Sequence, residues 1–493
     1  MKCPDFDREN LFDFDDHYFS LMALEKYDPK LIAIVRQSWL KTRQFCKEHL
    51  APYILSEDKK NASDPNHISW DLLRLAARHG RLTVYIPKFL GGSALGSPFL
   101  MLPDVEEEAS VDTGYSGMLG GHGLGLTALM MSLNFRILQQ VANKITVNEK
   151  SEKPYVIDCA ITEPTAGTDV EEVELYPKAR LTCQAKKVAG GVVLNGRKVF
   201  ISTGHMASDH IVLMPFDLKD PINNYGAFLV PGNSKGFSLG RKERKMGHLI
   251  STVSELIFED CFVPDENIIM STLEFPEFKD RDQFQLVLEM VLGITRTAVG
   301  AMGTGNARGS FERVLALAKK TKYRGRTLVN QQWAQAMLTN MFMNAMMARS
   351  VYLEATFAIL TNIESTLSRS IPSFMNTEFM KKMFNTTLYK KIFHSRWLRK
   401  LMIRRILDTP LENRARIQFM SSMAKVVGSD IAMENGHLAV EFLSMAGLRH
   451  DQGIEKGFRD AKLLQIFEGT NQLNRLNMFK NYIARRIPGV EVF

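Results

Sequence analysis

Gly191 to Ser202 reads GVVLNGRKVFIS, a β-branched, apolar run with an Asn-Gly pair at its centre. Valine and isoleucine suit a pleated, half-buried surface, and Asn195-Gly196 is a two-residue hairpin signal, so two strands joined at 195–196 are expected. Similar short runs surround it: YVIDCAIT (155–162), ARLTCQAKKV (179–188), DHIVLMPF (209–216), GAFLVP (226–231) and SELIFEDCFVP (254–264). Gly, Asn, Asp and Pro punctuate them. No helix-length segment alternates with them, which predicts an antiparallel β domain over 156–278 rather than a parallel βαβ sheet.

On both sides the texture is helical. LIAIVRQSWLKTRQFCKEHLAPYI (31–54) carries apolar residues at helical spacing, and a stop is expected near Pro52. SWDLLRLAARHG (69–80) predicts a helix from a Ser69 cap to Gly80. These elements define an N-terminal helical domain over 1–155, and residues 279–493 form a C-terminal helical one. There QAMLTNMFMNAMMARS (335–350) spaces methionines three or four apart, the pattern of a bundle core. GTGNARG (303–309) resembles a dinucleotide loop, but no strand precedes it, so close helix packing is the expectation. The fold class is therefore α+β and multidomain.

The bulk properties exclude little else. The chain has 493 residues, 45% hydrophobic and 24% charged, as in an ordinary globular protein of several domains. No run of 18 apolar residues suggests a membrane span. MKCPDFDREN matches neither a secretory signal nor a transit peptide. Five scattered cysteines form no CxxC pair, so neither a metal site nor a disulfide framework is expected, and a cytoplasmic location is the simplest expectation. A net charge of +8 permits an anionic ligand, lipid surface or nucleic acid without choosing among them.

Three segments carry candidate chemistry. CAITEPTAGTDV (159–170) runs from a strand into a Pro/Gly loop that offers backbone N–H groups and the hydroxyls of Thr162 and Thr168. KVFISTGHMASD (198–209) sets aromatic Phe200 beside Ser202 and Thr203, a surface suited to a planar, hydrogen-bonding cofactor. LLQIFEGTNQLNR (463–475) places one carboxylate, Glu468, in apolar company. Such a group is either a solvated helix-end charge or a base whose pKa a water-poor pocket raises.

Taken in order, GRLTVYIPKFLGG (80–92), AITEPTAGTD (160–169), GRKVFISTG (196–204), KMGHLISTVSELIFEDCFVPDENII (245–269) and RDAKLLQIFEGTNQLNR (459–475) resemble the acyl-CoA dehydrogenase flavoprotein family over roughly 31–360 and 415–485. The resemblance implies an N-terminal helical domain, a middle β-barrel and a C-terminal four-helix bundle. It implies FAD as cofactor and oxidation of an acyl-CoA thioester to the 2,3-enoyl-CoA, with an electron-transferring flavoprotein as acceptor. Glu468 matches the base, and Gly469 the clearance for substrate. Cys159, Ile161, Thr162, Gly167 and Thr168 match the flavin loop, with Thr168 also facing substrate. Phe200 and Ser202 match residues beside the flavin ring, and Thr470 and Gln472 match further FAD contacts. Arg296 matches a family arginine near the substrate. The residue before it is Thr295, where some members carry their base, which leaves Glu468 as the candidate.

Two family segments that grip FAD across subunits are altered. TKYRG (321–325) stands for R-x-x-F-G, and EFLSM (441–445) for Q-x-x-G-G. A carboxylate near a pyrophosphate repels it, so a homo-oligomer with a rebuilt grip and a hetero-oligomer both fit. Gly120, Gly121, Gly123 and Gly125 fall where the family floors its acyl pocket, and helix packing accounts for them equally. A basic insertion spans about 363–414, with nine Lys/Arg and no acid between Phe379 and Leu407. LYKKIFHSRWLRKLMIRRIL (388–407) puts Tyr389, Phe393, Trp397 and Leu401 at four-residue steps. This fits an amphipathic helix for an anionic membrane or acidic partner, or a packed helical hairpin; nucleic acid is the weaker fit. An oxidase, a nucleic-acid-associated flavoprotein and a non-catalytic subunit are the alternatives to a dehydrogenase.

Overall fold

The computed structural model describes residues 13–94, 98–278, 283–367 and 386–491. Its order is helix, sheet, helix, as the residue patterns imply.

The N-terminal region differs in one connection. Helix Pro29–Phe45 passes through a π-turn, Cys46–Leu50, directly into helix Ala51–Ser63. Pro52 therefore ends nothing. It sits just after the π-turn, whose wider i to i+5 bonding carries the helical chain past the proline. Helix Trp70–Arg78 follows Ser69 and stops before Gly80, which has a φ of +70°. Helices Leu102–Val111 and Thr113–Met131 then lead toward the sheets.

The middle region holds eight strands: β1 Ile157–Ala160, β2 Gln184–Val188, β3 Gly191–Ser202, β4 Asp209–Pro215, β5 Tyr225–Pro231, β6 Phe237–Lys242, β7 Val253–Pro264 and β8 Ile268–Ser271. They form two four-stranded sheets, β1-β4-β5-β8 and β2-β3-β7-β6. Three sequence-based expectations need correction. The sheets do not close into a barrel. β3 and β7 have twelve residues each, whereas β1 and β8 have four, and closure needs matched lengths and stagger. The sheets instead share an apolar core that includes Ala160, Val192, Val212, Phe228 and Leu256. The domain is also not wholly antiparallel, since β1 pairs with β4 in parallel. Finally, Asn195-Gly196 is not a turn. β3 runs straight through it as a bulge, with a register shift between Leu194 and Gly196. Asn195 exchanges two hydrogen bonds with Asp260 across the bulge (2.9 and 3.1 Å). The β2–β3 hairpin turns one strand-half earlier, through Gly190 at φ +75°.

Three long helices, Gln283–Lys320, Gln332–Leu367 and Leu411–Met445, make the C-terminal bundle with Gln452–Leu464. Helix Gln283–Lys320 is apolar and long enough by composition to cross a membrane, but most of its apolar stretch is buried in the protein. GTGNARG lies inside it and serves packing, as expected: a Cβ at Gly303 would fall 2.4 Å from the Gly428 backbone, and one at Gly309 would fall 2.0 Å from Ser110 O. The methionine expectation holds only in part. Met341 is buried, whereas Met343 and Met347 are half exposed. The basic insertion is not one helix. Its described part breaks into Thr387–Phe393 and Arg396–Leu407, so the four-residue stripe does not stay on one face.

Candidate active site

Glu468 stands on a tight loop between helices Gln452–Leu464 and Asn471–Met478. The loop uses two successive left-handed residues, Glu468 at φ +56° and Gly469 at φ +78°. A left-handed glutamate is strained, and it persists only where surrounding contacts fix it. Here they do. Asn474 Nδ2 donates to the carbonyls of Glu468, Gly469 and Thr470 at 3.2, 2.9 and 3.1 Å. Arg296 Nε donates to Glu468 O at 3.2 Å, and Thr470 caps the following helix through Leu473 N–H. A Cβ at Gly469 would lie 2.8 Å from Glu171 Oε2 and 3.0 Å from Asn474 Nδ2, so the protein's own packing requires glycine there.

The Glu468 carboxylate lines a cavity of about 390 Å³. Its walls include Met101, Leu102, Val105, Leu124, Ala298 and Phe467. Thr295 Oγ1 donates to Glu468 Oε2 at 2.6 Å, with Val291 O as an alternative acceptor at 3.1 Å. Burial raises the Glu468 pKa, and the Thr295 bond, Arg296 and Lys425 offset part of that rise. Among the described residues the N–H of Glu468 has no acceptor.

Phe200 and Ser202 line the same cavity. Phe200 is 60% exposed and left-handed, at φ +59°. The loop before it is pinned to β3: Val199 N–H donates to Thr162 O (2.9 Å), and Lys198 Nζ donates to Ile161 O (2.7 Å) and Glu163 Oε1 (3.0 Å). Lys198 and Glu163 are fully buried. Burial alone would raise Glu163, but Lys198 and the amides of Thr182 and Cys183 hold it below the usual range. Cys159 is a buried thiol pushed far up by burial. Gly167 is half-buried, while Thr168 and Gln472 are exposed beyond the cavity wall. Gly120, Gly121 and Gly123 line the cavity. Gly125 does not; it packs against β1, where a Cβ would meet Asp158 O at 2.9 Å.

Behind Glu468 lies a buried charge cluster that no sequence motif announced. Arg296 Nη2 is 3.6 Å from both Glu171 and Glu172. Burial raises Glu171 to about 7, with Arg296 opposing and Glu468 adding to the rise. Burial pulls Lys425 down to about 7. Its Nζ donates to Asn471 Oδ1 at 2.6 Å. Glu171 and Glu172 adjoin in the chain but belong to no motif, and Lys425 lies on helix Leu411–Met445, far away in sequence. His248, also on the cavity wall, is held neutral by burial, at about 4.

Three family models match this chain: the acyl-CoA dehydrogenase N-terminal domain over 36–134, the middle domain over 159–261 and the C-terminal domain over 284–387 and 398–483. The chain belongs to the acyl-CoA dehydrogenase family. It is similar to a "Probable acyl-CoA dehydrogenase FadE25" of Mycobacterium tuberculosis, 27% identical over 88% of this chain and 92% of that one. A cyclohexane-1-carbonyl-CoA dehydrogenase of Geobacter metallireducens is 26% identical over 90% and 95%. The fold is shared with butyryl-CoA dehydrogenase from Megasphaera elsdenii at a TM-score of 0.66 and 23% identity, covering 91% and 98%. Acyl-CoA dehydrogenases are FAD-dependent oxidoreductases, and the residues present fit that cofactor. An exposed aromatic, Phe200, held left-handed on a cavity wall beside Ser202, is a face without a protein cover.

Proposed function

We propose that this chain catalyses the α,β-dehydrogenation of an acyl-CoA thioester to the 2,3-enoyl-CoA, with Glu468 taking the α-proton. The observation that carries this is a carboxylate of raised pKa in the wall of an apolar cavity shared with Phe200 and Ser202. An α-proton beside a thioester is weakly acidic, so the base must be fixed within reach and partly desolvated. Thr295 fixes one carboxylate oxygen. When Glu468 gains the proton, Thr295 accepts from it and turns its own hydrogen to Val291 O. The free N–H of Glu468 is a donor for the thioester oxygen as negative charge develops there. Arg296 and Asn474 occupy the neighbouring carbonyls and keep the loop from relaxing.

Thr162, Gly167, Phe200, Ser202, Thr470 and Gln472 are the residues that would hold FAD, which when bound supplies the acceptor for the β-hydride. Apolar walls exclude water and accept the acyl chain. Glu243, Arg244 and Lys245 line both this cavity and a wider cleft of about 590 Å³. Its cations suit the phosphates of CoA. Electron-transferring flavoprotein is the proposed acceptor. The altered segments 321–325 and 441–445 fit an oligomer whose FAD grip has been rebuilt: Lys322–Tyr323 and Arg326–Thr327 form an exposed hairpin, and Glu441 is exposed.

The test is a visible spectrum of the purified protein with added FAD, followed by a panel of acyl-CoA thioesters. Bleaching of bound flavin is expected. Glu468→Gln keeps the flavin and loses bleaching by at least about a hundredfold. A protein that binds no flavin, or a Gln variant that bleaches as fast, sinks the proposal.

A further inference from the structure

The basic insertion presents a surface that catalysis does not use. The two helices of its described part pack against the body of the protein. Ser395 restarts the chain after the break, accepting from Leu398 N–H. Tyr389 and Phe393 turn inward, with the Phe393 ring 5.7 Å from Phe135. Met402, Ile403 and Ile406 are buried. Arg399 reaches inward to Glu274 (2.7 Å) and to the carbonyls of Ser132 and Ile269. The buried side chains thus anchor the hairpin to the body of the protein.

The outward face is different in kind. Leu388 is 66% exposed, Ile392 44%, Trp397 70% and Leu401 36%. On the second helix, Arg396, Trp397, Lys400, Leu401, Arg404 and Arg405 are all exposed. Their spacing puts them on one side of the helix. The helix sequence RWLRKLMIRRIL holds no acid. Lys400 pairs with Glu277 of the body, and Arg396 donates to Glu274 O and lies over the Phe275 ring. His394, at the break, is pulled down by burial and then by the positive charges of Arg136 and Lys390.

Aliphatic side chains, an indole and several cations on one exposed face need an occupant with both chemistries. A phosphate backbone would satisfy the cations but leave Leu388, Ile392 and Leu401 in water. A second copy of the same face would oppose like charges. An anionic bilayer offers phosphates to the cations and an apolar boundary to the rest.

We propose that this face docks the protein on an anionic membrane surface, with Trp397 and Leu401 entering the boundary between headgroups and acyl chains and Lys391 and Arg404 meeting lipid phosphates. The face is separate from the catalytic cavity, so either assignment can fail alone.

The full-length protein is sedimented with vesicles of phosphatidylcholine containing about one-third phosphatidylglycerol, and with pure phosphatidylcholine. Pelleting on the anionic vesicles alone, released by high salt, is expected. Tryptophan emission should shift to the blue and be quenched by brominated acyl chains, since Trp397 is highly exposed whereas Trp39 is buried. Leu401→Glu with Arg404→Glu should weaken vesicle binding by about tenfold or more, with flavin content and acyl-CoA turnover unchanged. No pelleting at low salt, no quenching in the wild-type protein, or equal pelleting of the variant overturns the proposal. Salt-sensitive binding of a duplex oligonucleotide by protein that ignores vesicles overturns it in favour of nucleic acid.

Discussion

At the residue scale, the titration of Glu468 is set by a contest between burial and three opposing groups, the Thr295 hydroxyl first, then Arg296 and Lys425. Burial favours the protonated acid, and the 2.6 Å bond from Thr295 favours the carboxylate. A base works when ionised, so turnover should rise with pH through the raised pKa of Glu468. Thr295→Val removes the donor and leaves only Arg296 and Lys425 to oppose burial. The acid limb of the bleaching rate should therefore move to higher pH, while the alkaline plateau is largely kept. A plateau that collapses with an unmoved limb would contradict the assigned role. Glu468, Gly469 and Thr470 were legible in the sequence because one loop carries them consecutively. Thr295 was legible only as a position that could not be the base; its contact with Glu468 spans 173 residues. Glu171 and Lys425 were illegible for the same reason. Their perturbation comes from burial among elements that are distant in the chain, which no local pattern encodes.

At the scale of elements, the sequence-based reading failed where one residue type serves two geometries. Asn-Gly suits a tight turn, but its left-handed glycine equally suits a bulge. At Gly196, φ is +128° and a Cβ would fall 2.6 Å from Cys183 Sγ, so the long strand β3 continues and the bulge bends it. Pro52 is ambiguous in the same way, since a proline that stops one helix can also follow a π-turn inside a continuing one. The helix–sheet–helix order was legible because it rests on residue periodicity summed over long segments. The bend in β3 is close to Lys198, which holds the 159–168 segment through Ile161 O and Glu163. Lys198→Met should leave Glu163 buried without its cation, at a cost of about 3–5 kcal/mol. The loosened loop should also release FAD more readily. Urea denaturation and retained flavin absorbance after dialysis measure the two effects, and a variant that loses stability but retains flavin normally would separate the loop from the cofactor.

At the scale of the whole molecule, the buried carboxylate of Glu106 is a hub between the N-terminal helices and the C-terminal bundle. Glu106 accepts from Arg308 Nη1 (3.1 Å), Arg349 Nε (2.9 Å), Tyr352 Oη (2.7 Å) and Tyr18 Oη (3.2 Å). Burial alone would raise its pKa, but Arg349 and Arg308 outweigh that and hold it at about 2. A carboxylate whose folded pKa is depressed adds stability above its unfolded pKa and loses it as pH falls through the folded one. The ordinary value is 4.5, so the contribution of Glu106 should fade between about pH 4.5 and about 2. Glu106→Gln removes that charge and strands two buried guanidinium groups, at a cost of about 3–5 kcal/mol near neutral pH. The gap between wild type and variant should then narrow on acidification, because the wild type loses what the variant already lacks. Urea midpoints across that window test this directly. A gap that stays constant would mean that Arg308 and Arg349 are satisfied by Glu107 and their other neighbours.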